Sequence, residues 1–148
     1  MQKGTVYRST GSWYDVKLED GEFTKARIQG KFRNLSIRTT NPVSVGDKVD
    51  VSINDNNEAV IKNIYPRKNY IIRKSVNLSK EAHIIASNID LAILLVTVVS
   101  PLTSPGFIDR FTVTAEAYNI PLLIVFNKVE IYDSKALAKL EDLEKSYS

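Results

Sequence analysis

The 148-residue sequence contains no cysteine and a single histidine, His83. These residues therefore cannot form a disulfide framework, a cysteine-ligated zinc site or a histidine-rich metal site. The absence of cysteine fits a reducing compartment, so we expect a cytoplasmic location. The longest largely apolar run, Leu91 to Val99, is too short to span a membrane, and we expect no membrane partner.

Two glycine-rich nucleotide-binding motifs are also absent. Around Gly30-Lys31, a phosphate loop of the form G-x-x-x-x-G-K-[ST] would need glycine at 25 and a hydroxyl residue at 32, where Lys25 and Phe32 stand. The dinucleotide fingerprint G-x-G-x-x-G does not occur either. A dinucleotide-dependent enzyme is therefore a poor interpretation of this sequence.

Charge is distributed unevenly along the chain. Residues 1–80 carry 15 Lys or Arg and 8 Asp or Glu, a net charge of +7. Residues 81–148 carry 5 and 9, a net charge of −4. The contrast predicts two units with different roles, of which the basic first half is the candidate for binding a polyanion.

Alternation of apolar and polar residues over the first 65 residues predicts five short strands and no long helix. The predicted strands span 3–10, 12–18, 23–29, 47–53 and 59–65. Asp20-Gly21 marks a hairpin turn between the second and third strands. We predict an OB-fold barrel over residues 1–70, since closure removes exposed strand edges. An SH3-like barrel fits the same pattern.

Basic and aromatic residues cluster at two places on this predicted barrel, after the third and the fifth strand. The candidate RNA contacts are Lys31, Phe32, Arg33 and Arg38 in the first cluster, and Arg67, Lys68, Tyr70 and Arg73 in the second. Lysine and arginine can hold phosphates while aromatic rings stack on unpaired bases. A solvated basic face with core aromatics is the alternative interpretation.

The second half changes character. Residues 71–87 are predicted to be a connector, and residues 88–148 an α/β unit. The predicted elements are a buried strand over 89–99, a helix over 107–118, a strand over 122–126 and a helix over 134–147 with Ser134 as its N-cap. This order predicts the start of a parallel sheet. Two strands and two helices cannot cover both sheet faces, so apolar strand surface should stay partly exposed.

A polar tetrapeptide, Asn127-Lys128-Val129-Glu130, follows the last apolar strand. It resembles the Asn-Lys-x-Asp base-specificity motif of GTP-binding proteins, in which one carboxylate accepts two adjacent N–H groups of guanine. Glu130 replaces the aspartate, and one extra methylene displaces the carboxylate by roughly 1.5 Å. We predict Asn127, Lys128 and Glu130 as the guanine-binding residues; an ordinary strand-to-helix turn is the alternative.

Seven short segments, in order, resemble the circularly permuted, ribosome-small-subunit-dependent GTPases of the RsgA (YjeQ) family. They are Lys3-Gly4-Thr5-Val6, Gly30-Lys31-Phe32-Arg33, Val45-Gly46-Asp47, Pro66-Arg67-Lys68-Asn69, Ala86-Ser87-Asn88-Ile89-Asp90, Ile108-Asp109-Arg110-Phe111 and Asn127-Lys128-Val129-Glu130. Besides Glu130, Leu91 departs from the family pattern, since many members carry a polar residue there.

The resemblance implies an OB-fold barrel, then a P-loop-type GTPase sheet permuted so that the base motif precedes the phosphate loop, then a zinc-binding domain. It also implies binding to the ribosomal RNA of the small subunit and hydrolysis of GTP with Mg²⁺ during late subunit maturation. These 148 residues would hold the barrel and the base-binding corner only. We therefore expect no GTP hydrolysis by this chain alone, because phosphoryl transfer needs a phosphate cradle and a metal. We also expect weak or no binding of GTP or GDP, because most of the affinity for a nucleotide would come from contacts with its phosphates.

Two interpretations without catalysis stay open. The barrel could be a stand-alone RNA-binding module, or the basic face could dock on an acidic protein partner. Salt weakens both kinds of binding, so competition with RNA is needed to separate them.

Overall fold

The computed structural model describes residues 1–28, 42–54, 58–74 and 82–147. Its contacts divide the chain into Met1–Ile89, here called the barrel unit, and Asp90–Ser148, here called the sheet unit. The predicted RNA contacts Lys31, Phe32, Arg33 and Arg38 lie outside the described residues, as does the side chain of Arg73. Among the described helices, none has the length and apolar character needed to cross a membrane.

Five strands form a closed barrel in the order β1-β2-β3-β5-β4. They are β1 Gln2–Ser9, β2 Tyr14–Leu18, β3 Phe23–Ile28, β4 Lys48–Ile53 and β5 Ala59–Ile64. The β3–β5 pair is parallel and the other pairs are antiparallel. The alternating apolar positions point inward, where Val6, Tyr14, Val16, Val49, Val51 and Ile61 are buried. The predicted OB-type barrel is confirmed.

The predicted second strand begins two residues later than expected. Residues Thr10 to Trp13 form a turn instead, closed by a hydrogen bond of 3.0 Å from the Thr10 N–H to the Trp13 carbonyl. Trp13, the one tryptophan of the sequence, is 37% exposed there. The guanidinium carbon of Arg27 lies 4.0 Å from its ring centroid, a cation–π contact that holds the indole against β3.

The stretch predicted as a connector instead contains two antiparallel strands, β6 Tyr70–Lys74 and β7 Ala82–Ser87. Their pairing carries an irregularity between Ile71 and Ile72. Such a bulge breaks the two-residue alternation of side chains, which is the signal on which strand prediction depends. The short strands therefore left no periodic pattern in the sequence.

The end of β7 lies against the loop before β4, backbone to backbone. The Ser87 N–H donates to the Val45 carbonyl at 2.8 Å, and the Asn88 side-chain amide donates to the Gly46 carbonyl at 2.9 Å. Gly46 has φ +90, and a Cβ there would lie 2.0 Å from the Ser87 carbonyl oxygen. Only glycine satisfies both the left-handed backbone and this close approach.

The sheet unit contains two parallel strands and two helices: β8 Ala92–Val96, α1 Pro105–Ala117, β9 Leu122–Phe126 and α2 Ser134–Tyr147. The predicted order is confirmed, although β8 is shorter than the apolar run over 89–99. Leu94 and Val96 of β8 pack on Ile108 of α1 in a buried cluster. Helix α2 is capped by Asp133, whose carboxylate accepts from the Ala136 N–H at 2.8 Å. The prediction of Ser134 as N-cap is therefore wrong by one residue.

One face of β8 is open to solvent. Ile93 is 61% exposed and Leu95 is 59% exposed, whereas the alternate residues Leu94 and Val96 are buried. This confirms that two strands and two helices leave apolar strand surface uncovered. It corrects the prediction of a buried strand over residues 89–99, since alternate residues of β8 are exposed.

Candidate functional site

The tetrapeptide Asn127–Glu130 lies at the carboxyl end of the parallel strand pair. Val96 is the register partner of Phe126, and the next residue, Asn127, donates its N–H to the Val96 carbonyl at 2.8 Å. Asn127 therefore directly follows the point where both strands end. In open α/β sheets this edge is where ligands bind.

Lys128 adopts a left-handed backbone conformation, with φ 61 and ψ 33. Positive φ is uncommon outside glycine and often marks a functional position. Its ammonium group crosses to the loop after β8, where it donates to the Ser100 carbonyl at 2.8 Å. The two loops that border the strand ends are thus joined by a charged side chain whose aliphatic stem can lie against a planar ligand.

Glu130 belongs to a short 3-10 turn, Val129–Ile131, and is exposed to solvent together with Asn127. An exposed carboxylate and an exposed carboxamide at one strand end supply the acceptors and donors that a purine base needs. The structure therefore brings the three predicted base-binding residues to one turn. Their contact with guanine stays a prediction.

Tyr132 is a positioning residue that the sequence patterns did not reveal. Its hydroxyl donates to the Asn127 carbonyl at 2.7 Å and accepts from the Val98 N–H at 2.8 Å, and the residue is 9% exposed. One side chain thus fixes the loop after β8 to the loop after β9. A tyrosine placed two residues after a polar turn was the available signal, because a buried tyrosine hydroxyl needs hydrogen-bond partners.

Replacing Tyr132 with phenylalanine is expected to lower the free energy of unfolding of the sheet unit by about 1–3 kcal/mol. The substitution keeps the ring in place but leaves the Val98 N–H without its acceptor in a buried position. Urea denaturation measures the loss. Tyr147→Phe is the matched control, since its hydroxyl bonds to exposed Asp109 and should change stability by less. Equal losses in the two variants would refute the positioning role.

Arg67, a predicted RNA contact, forms a salt bridge with a fully buried aspartate. Its Nε donates to Asp47 Oδ1 at 2.6 Å, and its Nη2 donates to Asp47 Oδ2 at 2.7 Å and to the Pro42 carbonyl at 3.1 Å. The hydrogen bonds to Asp47 raise the pKa of Arg67 above its ordinary value. An RNA contact by Arg67 stays a prediction. It would have to use guanidinium N–H groups that do not take part in these three hydrogen bonds.

Asp47 accepts two further hydrogen bonds, from the Ser44 N–H at 2.8 Å and the Ser87 hydroxyl at 2.6 Å. Asn69 is likewise buried, and its side chain exchanges two hydrogen bonds with the backbone of Ile89. The segment after β5 is therefore held by residues that contact the end of β7. Sequence reasoning assigned this segment to RNA and missed its role in the fold.

Lys68 and Tyr70 border this segment. Lys68 is exposed, and its backbone N–H donates to the Asn88 side chain at 2.9 Å. Tyr70 is half-buried at the start of β6. The structure places both residues beside Arg67, as their sequence spacing requires, but their RNA contacts stay predictions.

Metal ligands do not converge anywhere in the described ranges. No group of three or more His, Cys, Asp or Glu residues lies close enough together there to hold an ion.

Two family models match the chain one after the other. A family model described as the RsgA N-terminal domain matches residues 3–61, and one described as the RsgA GTPase matches residues 64–148. A protein named small ribosomal subunit biogenesis GTPase RsgA from Christiangramia forsetii is 56% identical over 148 residues, covering 98% of this chain and 47% of that protein. A protein of the same name from Bacteroides fragilis is 51% identical, covering 99% and 47%.

Solved structures agree with these matches. The crystal structure of YjeQ from Thermotoga maritima is similar with a TM-score of 0.72 and 32% identity, covering 97% of this chain and 47% of that one. YloQ, described as a circularly permuted GTPase, is similar with a TM-score of 0.67 and 25% identity, covering 99% and 48%. The chain therefore spans about half the length of the relatives it matches.

Proposed function

The chain belongs to the RsgA family, and from this premise we propose that it serves small ribosomal subunit biogenesis as the RNA- and base-recognising part of a GTPase. The observation that carries the proposal is the position of Asn127–Glu130 at the carboxyl edge of a parallel strand pair. Relatives that are 51% and 56% identical to the chain are named small ribosomal subunit biogenesis GTPase RsgA, which supports the assignment. We propose the cytoplasm as its location.

We propose that the sheet unit recognises guanine through its turn after β9. The Glu130 carboxylate would accept from the two adjacent N–H groups of guanine, and Asn127 would bond the other edge of the base. The Lys128 stem, fixed by its bond to Ser100, would lie over the ring. These residues supply binding and orientation only.

We propose further that the 148-residue polypeptide alone does not hydrolyse GTP and binds GTP or GDP weakly or not at all. Phosphoryl transfer depends on a backbone cradle, a lysine on the phosphates and Mg²⁺. The sequence contains no phosphate-loop motif, and the described residues offer no metal cluster. Most of the affinity for a nucleotide would come from phosphate contacts, for which the sequence holds no phosphate-loop motif.

Binding to small ribosomal subunits tests the ribosomal role. The purified chain is expected to sediment with small subunits at low salt and to be released as salt rises, because phosphate contacts release counterions. A Lys31→Gln/Arg33→Gln variant should bind more weakly. The matched control is Lys135→Gln/Lys139→Gln on α2, which removes two positive charges from the sheet unit.

Three results would count against the proposal. The chain could fail to sediment with small subunits, or bind large subunits equally well, or lose binding equally in the control variant. Sedimentation that free RNA does not compete away would favour the interpretation as a protein-interaction domain instead.

A further inference from the structure

A row of outward side chains crosses four strands of the barrel. Strand register places Phe23 of β3 opposite Lys17 of β2, Lys17 opposite Thr5 of β1, and Thr5 opposite Lys48 of β4. Tyr65 continues the row, since its N–H donates to the Lys48 carbonyl at 2.9 Å. An aromatic residue therefore stands at each end of the row, and two lysines flank a threonine between them.

Two more residues of β1 lie on the same surface. The ammonium group of Lys3 lies 5.9 Å from the Tyr65 ring centroid, and the ring of Tyr7 lies 5.6 Å from that of Phe23 in an edge-on arrangement. Tyr7 falls at the irregularity in the β1–β2 pairing, and bulges of this kind redirect side chains. We call this surface the barrel face; it consists of Lys3, Thr5, Tyr7, Lys17, Phe23, Lys48 and Tyr65.

The side chains of the barrel face are held in place by one another. The Lys17 ammonium lies 5.8 Å from the Tyr7 ring centroid and 5.7 Å from that of Phe23. The Lys48 ammonium donates to the Thr5 hydroxyl at 2.8 Å. Aromatic rings held beside lysines lose less conformational freedom when a ligand binds, and such pre-organisation favours affinity.

The barrel face is nevertheless open to a ligand. Phe23 is 60% exposed and Tyr7 is 55% exposed, although both are large apolar side chains. Residues of the face line a cleft of about 520 Å³, a size suited to a small planar ligand. Glu19 is the acidic residue among those lining it, against the lysines at 3, 17 and 48. The cleft is therefore basic as well as aromatic.

We propose that the barrel face binds an unpaired segment of RNA, with Tyr7 and Phe23 stacking on bases and its lysines holding the adjoining phosphates. The proposal rests on the proposed ribosomal function and assigns RNA contact to residues other than those of the two clusters that the sequence predicts. Stacking requires a free base face, which a duplex does not present. The barrel face therefore prefers single strands to duplexes.

The aromatic part is tested with a Tyr7→Leu/Phe23→Leu variant of the 148-residue chain. The probe is a fluorescently labelled oligouridine of about ten nucleotides, compared by anisotropy with a duplex of equal length. Affinity for the single strand is expected to fall about tenfold or more, whereas weak binding to the duplex stays unchanged. Phe107→Leu, at a 45% exposed phenylalanine of the sheet unit, is the control and should bind normally.

The basic part is tested by the salt dependence of binding. For a Lys3→Gln/Lys17→Gln/Lys48→Gln variant, the negative slope of log affinity against log salt concentration should become shallower by about 2. Each phosphate contact with a single strand contributes about 0.7 to the steepness of that slope. The control is Lys135→Gln/Lys139→Gln/Lys145→Gln on α2, which removes the same charge from the sheet unit.

The outcomes separate this inference from the function on which it rests. Normal oligouridine binding by Tyr7→Leu/Phe23→Leu, together with weak binding by Lys31→Gln/Arg33→Gln, overturns the barrel face and leaves the ribosomal function intact. Equal affinity of the unmodified chain for single strand and duplex overturns the barrel face as well. Failure of the unmodified chain to bind any RNA or small subunit overturns both.

Discussion

Replacing Asp47 with alanine is expected to lower the free energy of unfolding of the barrel unit by about 3–5 kcal/mol. The carboxylate is fully buried and accepts two hydrogen bonds from Arg67. Its removal leaves the Arg67 guanidinium, whose side chain is only 20% exposed, without its counter-ion. The Ser44 N–H and the Ser87 hydroxyl lose an acceptor at the same time. Urea denaturation of the 148-residue chain measures the difference.

Two further variants show whether burial is the cause. Asp47→Asn keeps the shape and part of the hydrogen bonding, so its loss should be smaller than that of Asp47→Ala. Asp15→Ala breaks the ion pair with Arg8, in which the atoms are 3.8 Å apart and the Arg8 side chain is 72% exposed. Exposed pairs contribute about 1 kcal/mol or less. Similar losses for Asp15→Ala and Asp47→Ala would contradict this account.

Replacing Gly46 with alanine is expected to destabilise the barrel unit by about 3 kcal/mol or more, because the new side chain would meet both backbone strain and a steric collision. The φ of +90 is strained for any L-residue with a side chain, and the new methyl group would lie 2.0 Å from the Ser87 carbonyl oxygen. Either the loop or the end of β7 would have to move. Thermal denaturation reports the loss as a lower melting temperature.

Gly21→Ala separates strain from collision. Gly21 has φ +95, close to that of Gly46, but nothing lies within 4 Å of its added Cβ. Backbone strain alone costs roughly 1–2 kcal/mol. If the Gly46→Ala loss is no larger than the Gly21→Ala loss, the backbone at Ser87 moves away from the new methyl group without lowering stability, and the collision is not the cause.

The barrel was predictable because its signal is local. Alternation of apolar and polar residues along a strand is set by the backbone, and turns such as Asp20-Gly21 mark where strands end. The turn after β9 was predictable for the same reason, since an apolar run followed directly by Asn127 and Lys128 is a local pattern. Its position at the strand ends follows from the parallel pairing.

Contacts between distant residues were not predictable in this way. Asp47 meets Arg67 across 20 residues and Ser87 across 40, and no periodicity in the sequence links the three. Arg67 was therefore interpreted only as a cation for phosphate. The line from Phe23 to Lys48 was hidden as well, because strand register, which local composition does not determine, brings its members together.

Trp13, on which Arg27 stacks, provides an optical signal that distinguishes the barrel unit from the sheet unit. Indole emission reports the environment of Trp13 and hence the barrel unit alone, since the sequence holds no other tryptophan. Both described helices belong to the sheet unit, so the helical circular dichroism of the residues that the structure describes follows that unit. A single sample therefore yields two melting curves, and their coincidence or separation shows whether the units unfold cooperatively.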